Sequence, residues 1–241
     1  MSTIKGNKRI ICAIDTKDIN KAIGLCDNVK DYIGFIKLGL EFFTYHGPEG
    51  IRRIKNIGIP IFLDLKFHDI PNTVAEAVRS AVSIGVDMLT IHTSGGCAMM
   101  KAAVEAAKDE AAKLNQTKPL MLGVTVLTSL DSEDLKSINI NKDTASQVTS
   151  LALLAKECGL SGVVCSPLEI QAIREVCGSS IKLVVPGIRS AGHAGDDQKR
   201  TLSAREAVEK GADYLVIGRP ITKAENPALA AENIHREFLD I

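Results

Sequence analysis

Short runs of apolar, strand-like residues recur along the chain, separated by longer stretches in which apolar positions return at helical spacing. The short runs are RIICAID, IGFIKLG, IPIFLDLK, VDMLTIH, LMLGVTVLT, SGVVCS, IKLVVPG and DYLVIG, eight in all. Between them lie segments such as NTVAEAVRSAVSIG, CAMMKAAVEAAKDEAAKL and TASQVTSLALLAKECG, rich in Ala, Leu, Glu and Lys. Strands that alternate with helices of this length predict an α/β fold with a parallel sheet. Eight such units in 241 residues predict a single-domain (β/α)₈ TIM barrel over 1–241, for which ~250 residues is typical. The competing fold, a doubly wound open sheet, commonly carries GxGxxG after its first strand, and AIDTKDINKA has no glycine there.

Local signals agree with this division. Pro71 disfavours the α region for Ile70, and Thr73 with Glu76 makes a TxxE capping box, so a helix is expected to start there. GVDMLTIH and GADYLVIG resemble each other, each with a glycine that can stop the preceding helix. That is a weak echo of internal repetition.

Charge enters the picture at the strand ends, where a barrel of this kind keeps its active site. The first strand ends in Asp15, the second carries Lys37 near its end, the third ends in Asp64 and Lys66, and the fourth in His92. The fifth is expected to end in Thr128, and the seventh and eighth run into Arg189 and Arg219. Period-two alternation puts Asp64 and Lys66 on one face. A single Asp or Lys at a strand end is more often solvated than catalytic, and buried ion pairs also serve structure. Polar groups at nearly every strand end of one rim, with Lys and Asp alternating, favour chemistry. An amine among carboxylates is held as an ammonium, whereas an imine-forming lysine needs the reverse. Lys66 therefore suits a proton donor that quenches a carbanion. Asp64 would either crowd an anionic leaving group or hold Lys66 in place.

The far end of the same rim reads as a phosphate site, formed by the loops VVPGIRS and VIGRPIT after strands seven and eight. Gly187 and Gly218 permit close backbone approach, and Arg189 and Arg219 supply forked donors. The segment SAGHAGDDQKRT is either a surface loop or, as preferred here, a lid over phosphate with Gln198 as a contact.

Composition narrows the partners. Lys plus Arg equal Asp plus Glu at 29 each, aromatics are 4%, and tryptophan is absent, so neither a basic nucleic-acid surface nor a base-stacking platform is expected. The six cysteines show no CxxC pair and fit neither a zinc site nor a disulfide framework. MSTIKGNKR lacks the apolar core of a signal peptide, and no run approaches a membrane span. A cytoplasmic, reduced protein with no membrane partner is the expectation.

DLKFHDIPNTV, with Lys37 upstream and VTVLTS, VVPGIR, DDQKR and VIGRPI downstream, resembles the bacterial-type orotidine 5′-phosphate decarboxylase family from Asp15 to the end of the chain. The resemblance implies a cofactor-free, metal-free homodimeric barrel that converts orotidine 5′-phosphate to UMP and CO₂, the last step of de novo pyrimidine synthesis. It implies that Lys66 gives the proton to C6, within a charge network of Lys37, Asp64 and Lys66 that Asp69 of the other subunit completes. Asp15 and Lys37 would meet the ribose hydroxyls, Thr128 the pyrimidine, and Thr73 of the other subunit the ribose. Ile70 is a further substrate contact, and Arg189, Gln198, Gly218 and Arg219 would hold the phosphate. His68 and His92 are expected to be structural. Two alternatives are a related barrel sugar-phosphate decarboxylase using Mg²⁺, which keeps DxKxxD, and a non-catalytic nucleotide-binding barrel. The DIPNT continuation and the full charge set weigh against them.

Overall fold

The computed structural model describes residues 7–188 and 202–241. Its eight strands are β1 (Asn7–Ile14), β2 (Ile33–Gly39), β3 (Ile61–Phe67), β4 (Met88–His92), β5 (Leu120–Val124), β6 (Gly162–Val164), β7 (Lys182–Val185) and β8 (Tyr214–Ile217). All eight are parallel and pair in chain order, with β8 closing on β1. Each predicted apolar run overlaps one of them, so the (β/α)₈ expectation holds. Helices such as Pro71–Ile84, Gly96–Lys113 and Thr144–Glu157 follow the strands. They cover the outside of the barrel with Val, Ile, Leu and Ala against the outward-facing strand residues.

The inside of the barrel is sorted by parity. Ile11, Phe62, Met88, Leu122 and Val184 form a buried cluster of their own. One pleat repeat later on the same inner face come Ala13, Asp64, Thr90 and Val124, because strand side chains two apart share a face. The same parity joins Phe35 to Lys37 on β2. The apolar layer is thus a floor, and the charged layer lies directly above it.

Three loops at the opposite ends of the strands follow one design. Gly85, Gly159 and Gly211 all adopt positive φ, at 82°, 82° and 106°. Each is followed two residues later by Asp87, Ser161 or Asp213, whose backbone N–H donates to the carbonyl of Ile61, Met121 or Leu183. The side chains of Asp87, Ser161 and Asp213 accept from the N–H groups of those same three residues, at 2.8, 3.2 and 2.9 Å. The echo between GVDMLTIH and GADYLVIG is therefore physical. It extends to GLSGVVCS, where serine replaces aspartate.

Three expectations need correction. The helix after β3 starts at Pro71, which takes the first helical position, with Ile70 extended at φ −59°, ψ 153°. Thr73 lies inside this helix and caps nothing, since a proline at the first position already suits the orphan donors there. Strand β5 ends at Val124, and Thr128 lies in the loop beyond it. Its partner β6 is only three residues long, so there is no further ladder to continue. Lastly, Cys97 and Cys158 are joined in a disulfide, with Cα atoms 5.9 Å apart and a sequence separation of 61. The pairing depends on how the helices on either side of β5 pack, which spacing alone does not reveal. Cys12, Cys26, Cys165 and Cys177 remain free and buried.

Candidate active site

A cavity of ≈ 300 Å³ opens at the C-terminal ends of the strands, at the lower end of the range for small-molecule sites. Phe62 and Val164 lie at its apolar base, and Asp15, Lys37, Asp64, Lys66, Thr128 and Arg219 reach into it. The charged groups form a line across three strands. Lys37 Nζ is 4.0 Å from Asp15 Oδ1 and 3.5 Å from Asp64 Oδ2, and Lys66 Nζ is 2.8 Å from Asp64 Oδ1. Cation and anion alternate along the whole line.

The members differ in how firmly they are held. Asp64 is buried, whereas the Asp15 side chain is 55% exposed, so its long contact with Lys37 is screened and weak. Burial alone would raise the Asp64 carboxyl. Lys37 and Lys66, with hydrogen bonds from Lys66 and Thr90, outweigh burial and hold it below the usual carboxylate range. Asp64 is therefore a carboxylate at neutral pH. An ammonium carries three donors, and Lys66 uses one, on Asp64. Among the described residues the other two have no partner, so they are available to the cavity.

Lys66 also has an unusual backbone, at φ 52°. Side chains other than glycine enter this left-handed region at a cost of about 1–3 kcal/mol, and such residues gather at functional sites. The β3–β4 register shifts between Leu63 and Phe67, a bulge that re-aims the side chain beyond Asp64. Gly39 faces the same cluster. A Cβ there would stand 3.2 Å from Lys37 Nζ and 3.4 Å from Asp15 Oδ1, so a side chain would press on the charge line.

Gly187, Gly218 and Arg219 line the cavity together. Gly187 has φ 81°, a conformation that suits glycine. Arg189 and Gln198 lie outside the described residues, as does most of the expected lid. Asp69, Ile70 and Thr73 are exposed and do not line the cavity of their own chain. Asp69 Oδ1 accepts from the adjacent Ile70 N–H at 2.6 Å. The rings of His68 and His92 lie 5.3 Å apart. Burial, then His68 and Lys66, push the His92 imidazole below its usual range against the pull of Asp64. Among the described residues no group of three or more His, Cys, Asp or Glu is arranged to hold a metal ion, and no helix is long and apolar enough to cross a membrane.

Residues 8–234 match the model of the orotidine 5′-phosphate decarboxylase / HUMPS family. The chain belongs to this family. It is 50% identical over 232 residues to the orotidine 5′-phosphate decarboxylase of Wolbachia pipientis subsp. Culex pipiens, covering 96% of this chain and 99% of that one. It is 51% identical over 229 residues to the enzyme of that name from Paramagnetospirillum magneticum, covering 95% of this chain and 97% of the relative. Among solved structures, orotidine 5′-phosphate decarboxylase from Lactobacillus acidophilus superposes with a TM-score of 0.85 at 34% identity, over 97% of this chain and all 100% of that one. The charge line and its bulged lysine are thus features of a chain whose relatives carry a decarboxylase name.

Proposed function

We infer that the chain decarboxylates orotidine 5′-phosphate to UMP and CO₂. Within the family, the relatives that share half of this chain's residues carry the decarboxylase name, which supports this reaction. The geometry that best supports it is an ammonium at Lys66 fixed 2.8 Å from an ionised, buried Asp64. When the bond from C6 to the carboxylate breaks, its electron pair stays on C6. Lys66 Nζ gives that carbon a proton and is reprotonated from solvent afterwards. Asp64 holds the ammonium in place, and it repels a substrate carboxylate placed beside it. Preorganised charge of this kind is commonly the largest catalytic contribution. Asp15 and Lys37 take the ribose hydroxyls, Thr128 the pyrimidine, and Gly218 and Arg219 the phosphate, with Arg189 and Gln198 joining from the loop after β7.

The site is read as shared between two copies of the chain. Asp69 and Thr73 sit on the outside of their own barrel, where a neighbour's cavity can receive them. Ile70 beside them is 67% exposed, and Leu40 and Tyr45 on the adjoining helix are 58% and 65% exposed. Exposed apolar side chains of this size suit an interface.

The direct test follows the absorbance of orotidine 5′-phosphate on adding purified protein, with EDTA present. Loss of the substrate signal with UMP as product is expected. A rate that collapses with EDTA and returns with Mg²⁺ would move the protein to the metal-using decarboxylases. UMP binding without any turnover would make it a binding barrel.

A further inference from the structure

Thr90 lies in the middle of β4, on the inner face of the barrel, with no exposed surface. In VDMLTIH it reads as an ordinary strand former. Its hydroxyl donates to Asp64 Oδ1 at 2.9 Å and accepts from the backbone N–H of Lys66 at 2.9 Å. The direction is fixed by chemistry. An ionised carboxylate only accepts, a backbone amide only donates, and the hydroxyl has one proton to give.

We propose that Thr90 is a positioning residue for the decarboxylation, its hydroxyl locking the backbone of Lys66 and one oxygen of Asp64 into a single geometry. The proposal rests on the functional reading above. It stands on the bulge. Where the β3–β4 register shifts, the hydroxyl of Thr90 is the acceptor for the Lys66 N–H. That bond anchors a left-handed backbone which needs an outside constraint. Asp64 Oδ1 then receives two donors, Lys66 Nζ and Thr90, while Oδ2 turns to Lys37. Rotating the carboxylate would break both bonds at once. One hydroxyl thereby fixes the proton donor and its counter-charge relative to each other, and small misplacements of a reacting group cost rate steeply.

The experiment compares Thr90→Val, Thr90→Ser and Thr90→Ala with wild type, using orotidine 5′-phosphate. In Thr90→Val, kcat is expected to fall about ten- to hundredfold, the effect of losing bonds to a charged group. KM should stay within about threefold, because the lost contacts serve the chemical step. Thr90→Ser should recover most of the rate and Thr90→Ala should not. Both lack the methyl, so this pair isolates the hydroxyl even if the valine variant fails to fold. The acid limb of kcat/KM should also move to higher pH in Thr90→Val, since the carboxylate loses a donor that favours its charged form. The groups facing Asp64 are Lys37 from β2, Lys66 from its own strand, and Thr90 and His92 from β4, with Asp15 of β1 beyond Lys37. A wild type that leaves orotidine 5′-phosphate untouched sinks the functional reading and this proposal with it. An active wild type matched by Thr90→Val, or a serine variant as slow as the alanine one, overturns the positioning role alone.

Discussion

The two rims of the barrel use the same kinds of residue for different ends. At the N-terminal rim, Asp213 is saturated. One oxygen meets Lys182 at 2.8 Å, and the other accepts from Leu183 N–H at 2.9 Å and Arg174 at 2.6 Å. Arg174 is spent as well, on the carbonyls of Gly178, Ile181 and Gly211. Arg174 and Asp213 between them tie one loop to the next. At the C-terminal rim, Lys66 keeps two donors facing a cavity, and Lys37 holds its carboxylates only at 3.5 and 4.0 Å. Charge that is fully consumed builds the scaffold. Charge held in place but left unspent is available to a substrate.

The largest consequence falls on Lys66. Lys66→Ala should lower the decarboxylation rate by about 10²–10⁴-fold or more, the scale of a lost proton donor. The melting temperature and UMP binding should change little, because the cavity walls and floor remain. The measurements are turnover by absorbance, UMP titration and thermal unfolding. A variant with near-normal turnover would remove the distinction between the rims.

A second consequence concerns completeness. The N-terminal cluster is closed within one chain, whereas the functional reading needs Asp69 from another. Lys66→Ala and Asp69→Ala should each be inactive alone. If their subunits exchange at random, half the dimers are mixed, and one site in each mixed dimer unites an intact Lys66 with an intact Asp69. About a quarter of all sites should regain activity, read as specific activity against wild type at equal concentration. If mixing restores nothing, Asp69 serves its own chain or none, and the shared site is refuted while the decarboxylase reading survives.

Much of this was visible in the sequence. Apolar runs located all eight strands because a buried parallel sheet needs them. Parity placed Asp64 and Lys66 on one face of their strand. Asp15, Lys37, Thr128, Gly218 and Arg219 do converge on one cavity. What stayed hidden has no one-dimensional signature. The left-handed turn at Lys66 comes from a slip between two strands, and Thr90 matters only because that slip leaves an N–H beside it. The Cys97–Cys158 bond depends on helix packing. Thr73 and Glu76 misled because the capping pattern is local, and a proline two residues earlier had already set the helix start.

The smallest predicted effect tests the scaffold side. Burial favours a neutral Asp213, but bonds from Lys182, the Leu183 N–H and Arg174 outweigh it and hold the carboxyl below its usual range. A carboxyl whose folded value is depressed contributes its stability above the unfolded value of about 3.9 and loses it as pH falls through the lower folded value. Asp213→Asn keeps one acceptor for the loop and removes the charge together with the second acceptor. It should therefore cost about 1–2 kcal/mol at neutral pH, since the pair is partly exposed. The deficit should be constant above about pH 5 and shrink as the wild type becomes protonated below about pH 4. Urea unfolding of both proteins across that range measures it, with kcat per folded molecule unchanged. A deficit that persists undiminished in acid would mean that shape, not charge, secures this rim. A fall in kcat at full folding would mean that the two rims are coupled, and the division of labour between them would fail.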